Sequence, residues 1–200
     1  MKAGPDELLA AAQACFADAG IRATSLVDVA DRAGVSRATA YRALGDKRQL
    51  VQRVVADEVG RFLVRLEEVR ARAEAEAETP REALVAVVTF ILDYLEGHTI
   101  LQRVLRTEPE SLVGLLVEGR GDPTLISLLV GAAAAIIEGS PWADDLRVDA
   151  GPAAELTVRV IFSLLLVPST TLGPPDAIAD LLLHGVLSAS RGGVAGAVPD

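Results

Sequence analysis

The stretch that decides the fold runs from residue 24 to residue 47 and reads TSLVDVADRAGVSRATAYRALGDK. Small and apolar residues recur in it at helical spacing, and Gly34 separates them into two short segments. Thr24 or Ser25 can cap the first segment, and Ser36 is a favoured N-cap for the second. Two short helices joined by a turn that contains glycine form the helix-turn-helix pattern, in which the second helix enters the major groove of DNA. The stretch therefore predicts a DNA-binding element.

Helical signals continue on both sides of this stretch. Pro5 is a favoured first-turn residue, so we predict a first helix from Pro5 to Ala19, ended by Gly20. Asp46 can cap a fourth helix that runs to about residue 77, supported by Gln49 three residues later. The first three helices then make a homeodomain-like unit, and the fourth leads out of it.

The rest of the chain continues as helices that are broken at glycine and proline. We predict these helices at about residues 80–97, 99–106, 109–118, 123–138, 152–167 and 174–190. No run alternates apolar and polar residues as a half-buried strand does, so the fold class is all-α with about nine or ten helices. The predicted organisation is a helix-turn-helix domain over residues 1–50, a helical C-terminal domain over residues 51–191 and a disordered tail over residues 192–200.

The charge of the chain is unevenly distributed. The formal net charge is −9, which by itself argues against binding to nucleic acid. Residues 1–50 nevertheless hold seven Lys or Arg against six Asp or Glu, a net charge of +1. The basic residues Arg37, Arg42, Lys47, Arg48 and Arg53 follow one another with only a single aspartate among them. A local basic face on an acidic protein is therefore expected.

Several classes of protein are not supported by the sequence. Cys15 is the only cysteine, so no internal disulfide is expected, and the first residues lack the order of a secretion signal, which predicts a cytoplasmic protein. The longest apolar stretches fall short of the roughly 20 residues that cross a bilayer, so no membrane partner is expected. His98 and His184 lie far apart, and neither a metal-ligand spacing nor a glycine-rich phosphate loop is present. We therefore predict that the protein is not an enzyme and has no metal or cofactor.

Several segments share their order and spacing with a known family. They are residues 8–16 (LLAAAQACF), 24–30 (TSLVDVA), 34–42 (GVSRATAYR) and 46–47 (DK). Over about residues 8 to 51 the chain resembles the DNA-binding region of the TetR family of transcriptional regulators. The resemblance implies a recognition helix over residues 36–43 and a two-fold dimer that binds a palindromic operator in double-stranded DNA.

The resemblance also implies which side chains contact DNA. The predicted set consists of Thr24, Ser36, Arg37, Thr39, Tyr41, Arg42 and Lys47. Thr39, Tyr41 and Lys47 are implied to contact phosphates, and Arg37 or Arg42 to reach bases or the DNA backbone.

Four further positions carry expectations of their own. Thr24 is expected to cap the second helix and to touch phosphate through the helix N-terminus. Tyr41 is expected to face outward, because Ala40 and Leu44 are better suited to burial. The chain departs from the family pattern at Gln13, where an apolar residue is common, and at Leu44, where phenylalanine is usual.

For the C-terminal helices the resemblance implies a small-molecule pocket whose occupancy controls DNA binding. The candidate pocket residues are Phe62, Leu66, Phe90, Tyr94, His98, Leu101, Leu105 and Leu116. Few of these are polar, so a small hydrophobic effector is expected. Residues of this kind at helical spacing more often belong to an ordinary core, which is the alternative interpretation.

The last two predicted helices are too apolar for one side to face water, which predicts that they form a four-helix interface in a homodimer. The sequence as a whole predicts a TetR-type regulator that acts as a repressor. Two alternatives are a DNA-binding protein without an effector and a helical lipid or acyl-group carrier that retains a vestigial helix-turn-helix. The basic segment after residue 33 argues against the carrier.

Overall fold

The computed structural model describes residues 4–117, 124–145, 148–167 and 175–186, and these residues form helices and no strand. The helices are α1 (Pro5–Ala19), α2 (Leu26–Arg32), α3 (Arg37–Leu44), α4 (Lys47–Glu76), α5 (Pro80–Gly97), α6 (Thr99–Thr107), α7 (Pro109–Val117), α8 (Leu125–Glu138), α9 (Ala150–Leu166) and α10 (Pro175–Val186). A short 3-10 turn, Ala143–Asp145, lies between α8 and α9. The all-α prediction is confirmed, and the predicted tail over 192–200 lies outside the described residues.

The helix boundaries follow the capping signals of the sequence. The N–H of Gly4 donates to the Glu7 carboxylate at 3.0 Å ahead of α1. Asp46 and Gln49 form a reciprocal capping box before α4, in which each backbone N–H donates to the other side chain, at 2.9 and 2.8 Å. Such caps satisfy backbone donors that the first turn of a helix leaves free.

The chain divides into two compact units. The first unit takes its residues from Met1–Val69 and Phe90–Leu128, so it combines α1 to α3 and most of α4 with the end of α5, α6 and α7. Its core contains apolar residues of α1 to α4, namely Leu8, Ala11, Ala12, Cys15, Phe16, Leu26, Val29, Ala30, Ala40, Leu44, Leu50 and Val54. Ile100 of α6 packs against this core from outside the helix-turn-helix.

The second unit takes its residues from Arg70–Thr89 and Leu129–Asp200. Small and branched residues fill its interior, including Ala83, Ala153, Ala154, Ile161, Ile178 and Leu182. The guanidinium of Arg81 on α5 makes a two-pronged ion pair with the carboxylate of Asp180 on α10, at 2.6 and 2.9 Å. The predicted division of function at residue 50 stays a prediction, because packing units do not say which residues dimerise or bind a ligand.

No single helix in the described ranges is both long and apolar enough to span a membrane. Two consecutive helices, Pro80–Gly97 and Thr99–Thr107, reach that length and composition only when they are taken together across a bend.

Candidate nucleic-acid interface

The turn between α2 and α3 is a Schellman motif. The N–H of Val35 donates to the carbonyl of Ala30 at 3.0 Å, and the N–H of Gly34 donates to the carbonyl of Asp31 at 3.2 Å. Gly34 has a φ of +67°, the left-handed conformation that glycine adopts without a steric penalty. The predicted turn at Gly34 is confirmed, and it sets the direction in which α3 leaves α2.

One face of α3 is buried and the other is open to solvent. Ala40 and Leu44 are buried in the core, so leucine fills the place where phenylalanine is usual in the family. Tyr41 is 52% exposed although it is a large aromatic residue, and Arg37 and Arg42 are also exposed. The expected outward position of Tyr41 is therefore confirmed.

Ser36 caps α3 as the sequence predicts. Its hydroxyl accepts a hydrogen bond from the N–H of Thr39 at 3.2 Å, and the two side-chain oxygens lie 2.9 Å apart. Both side chains lie at the exposed N-terminus of α3, where backbone N–H groups favour an anion. Their predicted contact with DNA stays a prediction.

Thr24 does not cap α2, and that expectation is wrong. Ser25 is the cap, because its hydroxyl accepts from the N–H of Asp28 at 3.2 Å while Asp28 accepts from the N–H of Ser25 at 2.7 Å. Hydrogen bonds from Ser25 hold the pKa of Asp28 below its ordinary value. Thr24 is only 3% exposed, and its hydroxyl donates to the carbonyls of Cys15 and Gly20 at 3.1 and 2.8 Å. Its hydroxyl is thus committed to the interior of the unit.

Lys47 has a structural role that the sequence did not suggest. Its ammonium donates to the carbonyls of Ile21 and Thr24, in the loop between α1 and α2, and lies 5.6 Å from the ring centroid of Phe16. Burial lowers the pKa of Lys47, and the charges of Glu108 and Asp28 offset part of that shift. An ammonium has three donors, so one remains beyond these two carbonyls, and the predicted phosphate contact stays a prediction.

The arginines of the first unit fall into two groups. Arg22 pairs with Glu110, and Arg32 pairs with Asp18 at 2.5 Å. By contrast, Arg37, Arg42 and Arg48 have neither an ion pair nor a hydrogen bond with any residue that the structure describes. Arg37, Arg42 and Arg48 are therefore uncompensated, unlike Lys47, whereas Arg22 and Arg32 are neutralised.

A buried carboxylate that the sequence analysis missed fixes the loop between α1 and α2. Glu108, between α6 and α7, is only 4% exposed. It accepts from the N–H of Ile21 at 2.5 Å, from the N–H of Arg22 at 3.0 Å and from the Ser111 hydroxyl at 2.9 Å. At Gly20, where φ is +90°, a Cβ would collide with the Glu108 carboxylate. The loop that precedes the helix-turn-helix is thus held by a residue more than eighty positions later in the chain.

The structure gathers part of the predicted ligand set into an aromatic row. Phe62 and Phe90 stack with ring centroids 6.2 Å apart, Tyr94 lies 5.1 Å from Phe62, and His98 lies 5.6 Å from Tyr94. The other four predicted residues are aliphatic and either buried or half-buried, namely Leu66, Leu101, Leu105 and Leu116. The predicted apolar pocket stays a prediction.

Tyr94 and His98 also line a cavity of about 540 Å³ with a polar wall. The imidazole Nε2 of His98 lies 3.0 Å from a carboxylate oxygen of Glu58, which also pairs with Arg61 at 2.6 Å. Burial raises the pKa of Glu58, but the hydrogen bond and charge of His98 and the charge of Arg61 outweigh it, so the pKa lies below its usual range. The other six predicted ligand residues do not line this cavity.

Gln13 departs from the family pattern for a visible reason. Its side-chain amide donates to the carboxylate of Asp57 on α4 at 2.6 Å, so a polar bridge takes the place of an apolar contact between α1 and α4.

Comparison with known proteins agrees with this geometry. Residues 8–54 match the family model of the bacterial regulatory proteins of the tetR family. An HTH-type transcriptional regulator of Mycobacterium tuberculosis, itself uncharacterised, is 27% identical over 190 residues, which cover 90% of this chain and 86% of that protein.

Two solved structures share the fold. A TetR-family transcriptional regulator from Pectobacterium atrosepticum has a TM-score of 0.66 at 21% identity, covering 92% of this chain and 93% of that one. The TetR-family repressor AlkX from Dietzia, which is implicated in the biodegradation of n-alkanes, has a TM-score of 0.62 at 21% identity and covers 92% of both chains. These relatives are transcriptional regulators. With its Schellman turn, its exposed α3 face and the match over residues 8–54, the N-terminal part of the chain is a helix-turn-helix domain similar to those of the tetR family of bacterial regulatory proteins.

Proposed function

We propose that the protein is a dimeric repressor that places α3 in the major groove of a palindromic operator and is controlled by a small effector. The observation that carries the proposal is the set of uncompensated arginines, Arg37, Arg42 and Arg48, in and next to a helix that also exposes Tyr41. Protein cations that neutralise phosphates dominate the affinity for DNA, and a helix surface without internal ion pairs leaves them available. As a DNA-binding regulator, the protein would act in the cytoplasm.

Dimerisation through α9 and α10 is supported by the apolar side chains that these helices leave in solvent. Leu156 on α9 is 44% exposed and Leu181 on α10 is 59% exposed, although Ile161, Ile178 and Leu182 are buried within the chain. A dimer would cover this outer face, and a two-fold dimer presents two recognition helices to half-sites about 34 to 36 Å apart.

Control by a hydrophobic effector is supported by the aromatic row of Phe62, Phe90 and Tyr94, and by the n-alkane context of the similar repressor AlkX. The alternative of a regulator without an effector would be favoured by an operator complex that no ligand alters.

The DNA contact is tested by a mobility-shift titration on the DNA upstream of the protein's own gene, repeated at several salt concentrations. Tyr41→Phe is expected to weaken binding, and Arg42→Ala to lower the slope of log affinity against log salt by about 1, since each lost phosphate contact changes the slope by that amount. Arg72→Ala is the matched control, because Arg72 is an exposed arginine on α4 outside the interface. Unchanged affinity and slope in both α3 variants would show that α3 is not the DNA-binding surface.

A further inference from the structure

The proposed DNA contact does not involve the polar cavity of the first unit, and of the predicted ligand residues only Tyr94 and His98 line it. Four helices line it: α1 with Gln13, Ala14 and Ala17, α4 with Glu58, Arg61 and Arg65, α5 with Asp93, Tyr94 and Gly97, and α6 with His98, Thr99 and Ile100. Its volume of about 540 Å³ falls in the range of small-molecule sites, which run from about 300 to 1,000 Å³. The wall combines short apolar side chains with charged ones.

Two of the four charged residues in this wall, Glu58 and Arg61, are already paired with one another. Glu58 is bound by His98 and by Arg61, as described above. The guanidinium of Arg61 also lies 3.0 Å from the carboxylate of Asp57, which in turn accepts from the amide of Gln13 at 2.6 Å. These groups form a connected network in which each side chain already has a partner.

Two charged residues of the wall remain outside this network. Neither Arg65 nor Asp93 has an ion pair or a hydrogen bond with any residue in the described part of the chain. The guanidinium carbon of Arg65 lies 5.8 Å from the ring centroid of Tyr94, close enough for a cation–π contact that positions the side chain and leaves its N–H donors free. The hydroxyl of Tyr94 likewise has no hydrogen-bond partner among the described residues.

We propose that this cavity binds a small zwitterion of the amino-acid type, with its carboxylate on Arg65 and the Tyr94 hydroxyl and its ammonium on Asp93. A guanidinium binds a carboxylate through two parallel hydrogen bonds, and a carboxylate is the natural partner of an ammonium. Arg65 and Asp93 are both exposed, and a zwitterion offers each of them a partner of opposite charge, which a simple anion or a simple cation does not. The apolar part of the ligand would meet Ala14, Ala17 and Ile100.

Occupancy of the cavity would act on the DNA-binding helices directly, because α1 forms one wall and Ile100 contacts both the cavity and the helix-turn-helix core. This regulatory consequence rests on the proposed DNA binding, whereas ligand binding itself does not. The two are therefore measured separately.

Binding is tested on the full chain without DNA. The twenty standard amino acids are screened one at a time by thermal shift, and the best of them is titrated by calorimetry beside its N-acetyl and carboxamide derivatives. We expect at least one amino acid to raise the melting temperature, and each derivative, which lacks one of the two charges, to bind roughly tenfold or more weakly because a charge-assisted pair is lost. Failure of every amino acid to bind, or equal binding of the derivatives, would overturn the proposal.

Variants locate the site. Arg65→Gln and Asp93→Asn are each expected to weaken binding roughly tenfold or more, and Tyr94→Phe by less, since its hydroxyl is uncharged. Arg72→Gln, an exposed arginine seven positions beyond Arg65 on the same helix, serves as the control and keeps the affinity of the unmodified protein. If Arg65→Gln and Asp93→Asn bind as tightly as the control, the site is elsewhere. A protein that binds the amino acid but no operator would contradict only the proposed function.

Discussion

Individual side chains decide how firmly the helix-turn-helix is attached to the rest of the first unit. Glu108 accepts hydrogen bonds from two backbone N–H groups of the α1–α2 loop, and Lys47 donates to two carbonyls of the same loop. The loop between α1 and α2 thus has its donors and acceptors met by one buried anion and one half-buried cation. Leaving a buried backbone group without a partner is costly, so these two side chains are expected to matter for stability as well as for position.

We predict that Glu108→Gln destabilises the protein although it preserves the shape of the side chain. One carboxylate oxygen becomes an NH₂ group, which then faces a backbone N–H donor of the loop. The free energy of unfolding in urea should fall by about 1–3 kcal/mol, the range for a buried donor that loses its partner.

The matched control for this variant lies two residues away. Glu110→Gln removes the ion pair with Arg22, in which both side chains are largely exposed, and exposed pairs contribute little to stability. Its urea midpoint should stay close to that of the unmodified protein. Equal midpoints for the two variants would contradict a structural role for Glu108.

The same residues show where sequence reasoning stops. The capping roles of Ser36 and Asp46 could be predicted, because a cap and its partner lie within three positions of each other. The role of Glu108 could not, because its partners Ile21 and Arg22 lie 87 and 86 positions away. Nothing near Glu108 in the chain distinguishes it from an exposed residue between two helices.

At the scale of secondary structure, Gly20 before α2 and Gly34 after it have different structural roles. Gly34 has φ +67° and open space where a Cβ would lie, so it serves only the backbone conformation of the turn. Gly20 has φ +90° and ψ 170°, and it also admits the Glu108 carboxylate. The first requirement is local, whereas the second joins the end of α1 to the corner between α6 and α7.

This difference predicts the order of two substitutions. Gly34→Ala places an alanine in the left-handed conformation, which destabilises the folded protein by about 1–2 kcal/mol. Part of this loss is offset because alanine lowers the conformational entropy of the unfolded chain. Gly20→Ala has two effects. The alanine is forced into backbone dihedral angles that only glycine adopts readily, which costs about 1–3 kcal/mol. Its Cβ also displaces the Glu108 carboxylate. Thermal unfolding should therefore give a clearly lower melting temperature for Gly20→Ala, and the reverse order would contradict the close approach of Glu108.

The elements themselves were the most predictable part of the molecule. The predicted α1 coincides with Pro5–Ala19, and the predicted end of α4 at about residue 77 lies next to Glu76. Proline, glycine and capping residues mark these positions locally. The polar character of the cavity beside Tyr94 was not predictable, because Glu58, Arg61 and Asp93 come together there only when α4 and α5 pack side by side.

For the whole molecule, the proposed dimer rests on the distribution of apolar surface over the last two described helices. On α10, Ile178, Ala179 and Leu182 are buried within the chain while Leu181 lies in solvent, so the helix has apolar residues on more than its inner face. In the proposed dimer, a second chain would cover the exposed leucines of α9 and α10. Sequence alone identified the apolar helices but not which of their leucines face outward.

We predict that Leu181→Asp separates the proposed dimer into monomers. A buried aspartate without a partner would make the interface unfavourable, whereas in the monomer the side chain lies in water. Size exclusion with light scattering at micromolar concentration measures the mass. Val64→Asp is the control, since Val64 is a similarly exposed apolar residue on α4, and it should leave the dimer intact. A monomeric unmodified protein would contradict the proposed interface.

The only cysteine of the chain can report how often the helices of the first unit separate. Cys15 lies in the α1 to α4 core, where burial raises the pKa of its thiol and the charge of Arg32 offsets part of the shift. A thiol that is both enclosed and protonated is protected twice from an alkylating reagent, so labelling has to wait until α1 moves away from its neighbours. The rate of Cys15 alkylation then measures how often this unit opens. A molecule that stabilises the closed unit, whether operator DNA or a ligand of the cavity, should lower that rate. The measurement needs neither a dye nor an engineered probe.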